Sequence, residues 1–412
     1  MSGKWPGGFI NKTAPTVVGP TDGEGGSASG IWTLDQVADY EERGLWPMAT
    51  LDRIMLTWGY NSNGQLGDDT IVDKSSPIQV GATTTWAFST GGNASSYGIK
   101  KDGTLWAWGS NGSGQLGVGS TTAYSSPVQV GALTTWSKIS GGMYHTLAVK
   151  TDGTLWAFGR NNLGQLGDGT TVDKSSPVQI GALTTWSKPI AGYNSSYAIK
   201  TDGGLWSWGM GTYYCLGLGN NTNYSSPVQV GALTDWLDIA GGSYQGAVAV
   251  KTDGSMWSWG NGVPILGQNN TTTYDSPVQI GSLTTWLKVA SGYGHALAVK
   301  TDGTLWVWGN ATAGGQGALG QGALDYTGKS SPIQVGALTT WLDVAGSYYS
   351  SFGTTTSNEL YVWGQNNYGQ LGANSADNKI SSPVQVGSQT YWKALPKTPL
   401  ARHGVVVTNR ST

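Results

Sequence analysis

The sequence predicts an all-β fold, a seven-bladed β-propeller with four-stranded blades, and two interlocked repeat markers carry that prediction. Ser-Pro-(Val/Ile)-Gln recurs with its proline at Pro77, Pro127, Pro177, Pro227, Pro277, Pro332 and Pro383, and an aromatic-Gly pair recurs at Trp58, Trp108, Phe158, Trp208, Trp259, Trp308 and Trp363. The two series stay in step except where the Gly-rich stretch Gly314 to Gly322 lengthens one loop. Residues 51–412 therefore read as one closed array, and residues 1–50 as an N-terminal arm outside it.

The stretch from Ser126 to Gly159 serves as the type unit. Its strand-like runs are Pro127 to Val130, Trp136 to Ser140, His145 to Lys150 and Leu155 to Phe158, the last two joined by Asp152-Gly153, which is expected to form a type I′ hairpin turn. Similar pairs begin at Asp102, Asp202, Asp253 and Asp302, and these aspartates are read as turn residues, not catalytic carboxylates. Leu147-Ala148-Val149 and Leu155-Trp156-Ala157-Phe158 are apolar on both faces, so each sheet is expected to lie between two others. The tryptophans of one unit contribute roughly 10 to 15 kcal/mol of burial, against an ordering cost on the order of 50 kcal/mol, so a single blade does not fold alone. At the C-terminus, His403 to Val407 matches the His145 strand but lacks a following Leu-Trp partner. Leu51 to Gly59 is that partner, which predicts closure of the ring by the two chain ends in one blade.

Composition narrows the chemistry. Charged residues make up 11% of the 412, the net charge is -2 and only five arginines are present, which argues against a nucleic-acid surface. No apolar run is long enough for a membrane span, and Met1 to Asn11 lacks the pattern of a signal peptide. The single cysteine, Cys215, sits where neighbouring repeats have Gln115 and Gln165 and reads as a repeat variant. All three histidines, His145, His295 and His403, share one repeat position that elsewhere holds Ser95 and Ser195, a pattern of structural hydrogen bonding and not of a catalyst. The Gly-Gln-Leu-Gly loops lack the lysine and the strand-to-helix context of a phosphate loop. No catalytic residue, cofactor site or metal site is expected, and the chain does not read as an enzyme.

On Gly141 to Val149, Gly153 to Gly159, Asn161 to Gly167 and the Ser-Pro-Val-Gln segment, the chain resembles the repeat family of the regulator of chromosome condensation. The resemblance implies a seven-bladed propeller and a structural role for the shared histidine. It is weak for function, because that propeller serves unrelated tasks. Members that exchange nucleotide on a small GTPase carry basic tails, which this sequence lacks.

In the arm, Met1 to Ser29 is rich in Gly, Pro, Thr and Ser and reads as an extended tether. A short helix is expected from Thr33 as N-cap with Gln36 three residues on, ending near Gly44. Too short to hold alone in water, it is expected to dock through Trp32, Leu34, Val37, Leu45 and Trp46. Gly7 to Ile10, Gly30 to Leu34 and Trp46-Pro47 resemble the N-terminal stretch of virion structural proteins of tailed bacteriophages. That resemblance implies a non-enzymatic particle component, made in the host cytoplasm and located in the virion, whose arm binds other virion proteins and whose propeller meets a host-surface protein or glycan. The alternative is a free propeller that binds or inhibits a host protein.

Overall fold

A computed structural model of the chain describes residues 52–241, 245–262, 264–324, 326–392, 395 and 400–409. Among them, 27 strands form seven antiparallel sheets, six of four strands and one of three. In chain order, blades I to VI occupy residues 86–129, 136–179, 186–229, 236–279, 286–334 and 341–385. Blade VII joins Arg53–Gly59 and Lys74–Gln79 to His403–Asn409. Its central pairing runs in register from Arg53 opposite Asn409 to Gly59 opposite His403, so the chain ends close the ring as the sequence predicts. Trp392, Leu400 and Ala401 are buried alongside, at the repeat position that the first strand holds in the other blades.

The phase of the repeat differs from the sequence unit. Lys174–Gln179, which contains the Ser-Pro-Val-Gln marker, pairs with Leu155–Gly159 as the last strand of blade II instead of opening blade III. Periodicity fixes the length of a repeat but not where a sheet begins. The Asp-Gly turn also differs. Only the glycine takes a positive φ, +76° at Gly153, and its N–H donates to the Lys150 carbonyl at 2.9 Å. Lys150 N–H in turn donates to the Thr154 carbonyl, giving a three-residue loop with a left-handed glycine in place of the two-residue I′ turn. Asp152 stays right-handed because its carboxylate accepts from the Thr154 N–H and hydroxyl, at 2.9 and 2.6 Å, and so locks the turn.

First strands lie at the centre and fourth strands at the perimeter. Gly141 and Gly142, which end the first strand of blade II, sit against the backbone of the blades on either side, and a Cβ on Gly142 would come 2.7 Å from the Gly192 carbonyl. Backbone bonds cross between blades at this inner ring, from Asn93 N–H to the Gly142 carbonyl at 3.3 Å, Met143 to Gly192 at 3.2 Å, Tyr293 to Tyr348 at 3.0 Å and Tyr348 to Ala401 at 3.1 Å.

Between each pair of blades lies one apolar cluster, seven in all, each built from a first-strand tryptophan of one blade and the flat face of its neighbour. A hydrogen bond pins each of these interfaces. The indole N–H of Trp58, Trp108, Trp208, Trp259, Trp308 and Trp363 donates at 2.7–3.0 Å to the backbone carbonyl of Gln370, Gln65, Gln165, Cys215, Ile265 and Ala318 respectively, on the loop after the third strand of the preceding blade. Blade II has Phe158 there, and Thr146 and Tyr97 hydroxyls take over the Gln115 carbonyl at 2.9 Å each. The glycine two residues on must be bare: at Gly167, φ is +82° and a Cβ would lie 2.7 Å from Trp208 Nε1. The 314–322 insertion keeps the same tie. A five-residue helix, Ala311–Gly315, capped by the Asn310 side chain, absorbs the extra length before Ala318.

The three histidines strengthen the same interfaces. Nε2 of His145, His295 and His403 meets the hydroxyl of Ser196, Ser351 and Ser96 in the next blade at 2.9, 2.9 and 2.7 Å. Each serine donates onward to a loop carbonyl, so its oxygen accepts and the histidine carries its proton on Nε2. Burial depresses their pKa values to about 3 for His145, about 4 for His295 and about 3 for His403. The histidine reading from sequence is therefore met in full.

Two outcomes are expected. Gly167→Ala destabilises the propeller by about 2 to 4 kcal/mol and Trp208→Phe by about 1 to 2 kcal/mol in urea unfolding; a Gly167→Ala cost within about 0.5 kcal/mol would remove the close-approach account. The histidines are neutral when folded and protonated when unfolded below their ordinary pKa of about 6.5, so stability is full above that pH and falls by up to about 1.4 kcal/mol per histidine per pH unit on acidification toward about 4. Unfolding free energies measured between those limits should show this slope, reduced by about one third in His145→Ser.

Candidate functional site

The propeller has two chemically different faces. On one, the Asp-Gly turns meet the connectors between blades. There Nζ of Lys100, Lys150, Lys200, Lys251 and Lys300 lies 3.5–4.2 Å from the ring centre of the third-strand tryptophan of its own blade. Partial burial lowers the pKa of each lysine, and the nearby turn aspartate opposes the shift. Five connector leucines, Leu133, Leu183, Leu233, Leu283 and Leu338, stand 45–48% exposed around this face.

The other face gathers the loops between first and second strands at the axis, together with the residues that follow the third strands. Five blades bring tyrosine or arginine there. Tyr193 and Tyr293, from blades III and V, have ring centres 6.0 Å apart. Tyr293 stacks on Tyr348 at 4.9 Å with an interplanar angle of 26°, and Tyr349 stands edge-on to both. A guanidinium sits at each end of this row: Arg402 lies 4.5 Å from the centre of Tyr348, and Arg160 lies 5.5 Å from that of Tyr144. Arg402 Nε is buried with no hydrogen-bond partner among the described residues. Burial first, and neighbouring tyrosine hydroxyls second, raise the pKa of Tyr193 and Tyr293 and push Tyr349 up to about 12. The phenols therefore stay neutral hydrogen-bond donors across the ordinary pH range.

A second recess of about 310 Å³ lies on the perimeter between blades II and III, with Trp186, Trp206, Leu183, Gln179 and Asp168 in its lining. Its polar groups are already committed: Lys200 caps Trp206 at 3.8 Å, and Asp168 binds Lys174, Asn161 and the Thr170 hydroxyl. The axial cluster is the better candidate.

The arm residues singled out from sequence, Trp32, Leu34, Val37, Leu45 and Trp46, lie outside the described residues. Cys215 is buried. Its thiol donates to the Met210 carbonyl at 3.0 Å and burial pushes its pKa up to about 12, as suits a repeat variant and not a nucleophile. Among the described residues no group of three or more His, Cys, Asp or Glu side chains could hold a metal ion. Sequence reasoning missed the axial tyrosines, although one signal was present: aromatic residues follow the paired small residues at the end of successive first strands, at Tyr144, Tyr193, Tyr244, Tyr293 and Tyr348. Tyr244 itself lies outside the described residues.

Comparison with known proteins places this architecture. A family model described as the regulator of chromosome condensation (RCC1) repeat matches residues 102–149, 152–199, 202–249, 253–299 and 357–394, and a second model of the same description matches 136–165, 286–314 and 341–370. No curated protein matches the sequence. Among solved structures, human WBSCR16 superposes with a TM-score of 0.76 at 20% identity, over 87% of this chain and 100% of that one. Prp20p from Saccharomyces cerevisiae, described with its binding properties to Gsp1p and histones, superposes with a TM-score of 0.76 at 16% identity, over 91% of this chain and 95% of that one. These likenesses concern the fold. With repeats matched over more than half its length and the ring closed in seven blades, the chain belongs to the regulator of chromosome condensation repeat family.

Proposed function

We propose that the protein is a non-enzymatic binding component of a virus particle, in which residues 1–50 attach to other virion proteins and the propeller presents one face to a partner. The observation that carries the binding part is the convergence of tyrosine rings and two arginines from five blades at one end of the axis. Such a cluster supplies rigid, amphipathic contact area at low entropic cost. The ring around it is pinned at every blade interface, so the loops bearing these residues are held in place before a ligand arrives. Support for the particle comes from the arm, whose Gly7 to Ile10, Gly30 to Leu34 and Trp46-Pro47 resemble tailed-phage virion proteins. The exposed propeller surface, poor in charge and rich in Thr, Ser, Gly and Asn, suits that setting.

A second reading is a free propeller that acts on a host protein. It draws on the fold likeness to Prp20p, a structure described with its binding to Gsp1p and histones. Deleting residues 1–46 separates the two. The attachment reading expects a propeller with an unchanged unfolding midpoint that no longer co-purifies with particles, whereas incorporation at the full-length level would overturn it and favour the free module.

A further inference from the structure

We propose that the axial tyrosine cluster is a binding site for a carboxylated oligosaccharide, whose sugar rings stack on the tyrosine faces while its carboxylates pair with Arg160 and Arg402. The inference rests on the reading of the propeller as the binding element and names the chemistry of its ligand.

Three features of the site select that ligand. The first is charge. The loops between first and second strands, and the residues that follow the third strands, hold no aspartate or glutamate, so the two guanidiniums are the charged groups of the mouth. They suit an anion, and their planar forks match a carboxylate. Arg402 Nε, buried and without a partner among the described residues, is a donor in place for one. The second is shape. Tyr193, Tyr293 and Tyr348 form a row of rings with successive centres 6.0 and 4.9 Å apart, a spacing that offers flat apolar faces to consecutive pyranose rings with hydroxyl donors at their edges. The third is extent. Half-buried tyrosines of this number expose roughly 500 Å², below the roughly 800 Å² per partner of a stable protein interface but ample for a short sugar chain. A nucleic acid would need many more cations than two. The phenols remain neutral, because burial and their mutual proximity hold their pKa values above the ordinary range, so no phenolate repels the incoming carboxylate.

The chemistry could come from a chain end bearing sialic acid or from a polymer of uronic acids. Isothermal titration of the full-length chain with 3′-sialyllactose and with trigalacturonate tests both sources, with lactose and maltotriose as neutral counterparts. Binding of at least one carboxylated sugar with a Kd in the range of about 0.1 to 5 mM, and at least about tenfold weaker binding of its neutral counterpart, is expected, and the tighter acid identifies the source. Arg160→Gln and Tyr293→Ala should each weaken it about tenfold, while Tyr326→Ala, at the exposed tip of a distant loop, leaves it unchanged. Tyr293→Phe, which keeps the ring, should retain most of the affinity and covers the case in which Tyr293→Ala misfolds. Absence of binding to both acids at about 10 mM, equal binding of the neutral sugars, or indifference to Arg160→Gln would overturn the proposal. The titration needs no particle, so its failure leaves attachment through residues 1–50 standing, and failure of the attachment test leaves the sugar result standing.

Discussion

Every blade interface depends on one backbone carbonyl, at residue 65, 115, 165, 215, 265, 318 or 370, held at the end of a tight loop and reached by a donor from the next blade. Six of the donors are indole N–H groups within the apolar cluster that forms the interface, so the bond is made where water is excluded and its loss leaves a buried acceptor short of a partner. Because the acceptor belongs to the main chain, the side chain at that position can drift. Gln, Cys, Ile and Ala all occupy it, and the loop can lengthen by a helical turn without breaking the contact. The constraint falls instead on the glycine beyond it and on the tryptophan that faces it, which are the two residue types the sequence repeats most faithfully.

That division explains what could be read from the chain. Blade number, closure by the two ends and the structural role of the histidines were legible because each depends on a residue type recurring at a fixed interval. Sheet phase was not, since Lys174–Gln179 carries the same pattern whether it opens one blade or ends another, and only its pairing with Leu155–Gly159 decides. The Asp-Gly turn was misread in detail for a related reason. Positive φ at Gly153 is common to both loop types, and the bond from Thr154 to the Asp152 carboxylate that distinguishes them is a three-dimensional fact.

The axial cluster was less legible still. Tyr193, Tyr293 and Tyr348 are separated by about one or two repeats in sequence and become neighbours only because first strands point to a common axis. No linear motif encodes such a site, since each blade contributes a single short loop. The lysines lying over tryptophans on the opposite face were overlooked too, because a lysine at a strand end reads as a solvated charge until the third-strand ring beneath it is seen.

Blade VII draws its strands from opposite extremities of the polypeptide, Arg53–Gly59 near one and His403–Asn409 near the other. During synthesis the earlier of these must wait, its hydrogen-bonding edge and its apolar flank uncovered, until the ribosome has released nearly everything else. The circle can then be completed only after translation ends, in one concerted step that seals two seams together. Until that moment the nascent molecule is an arc with sticky ends, able to capture a sibling's terminal strand in place of its own, and the rate of sealing relative to the rate of encounter decides whether a cell accumulates discs or chains.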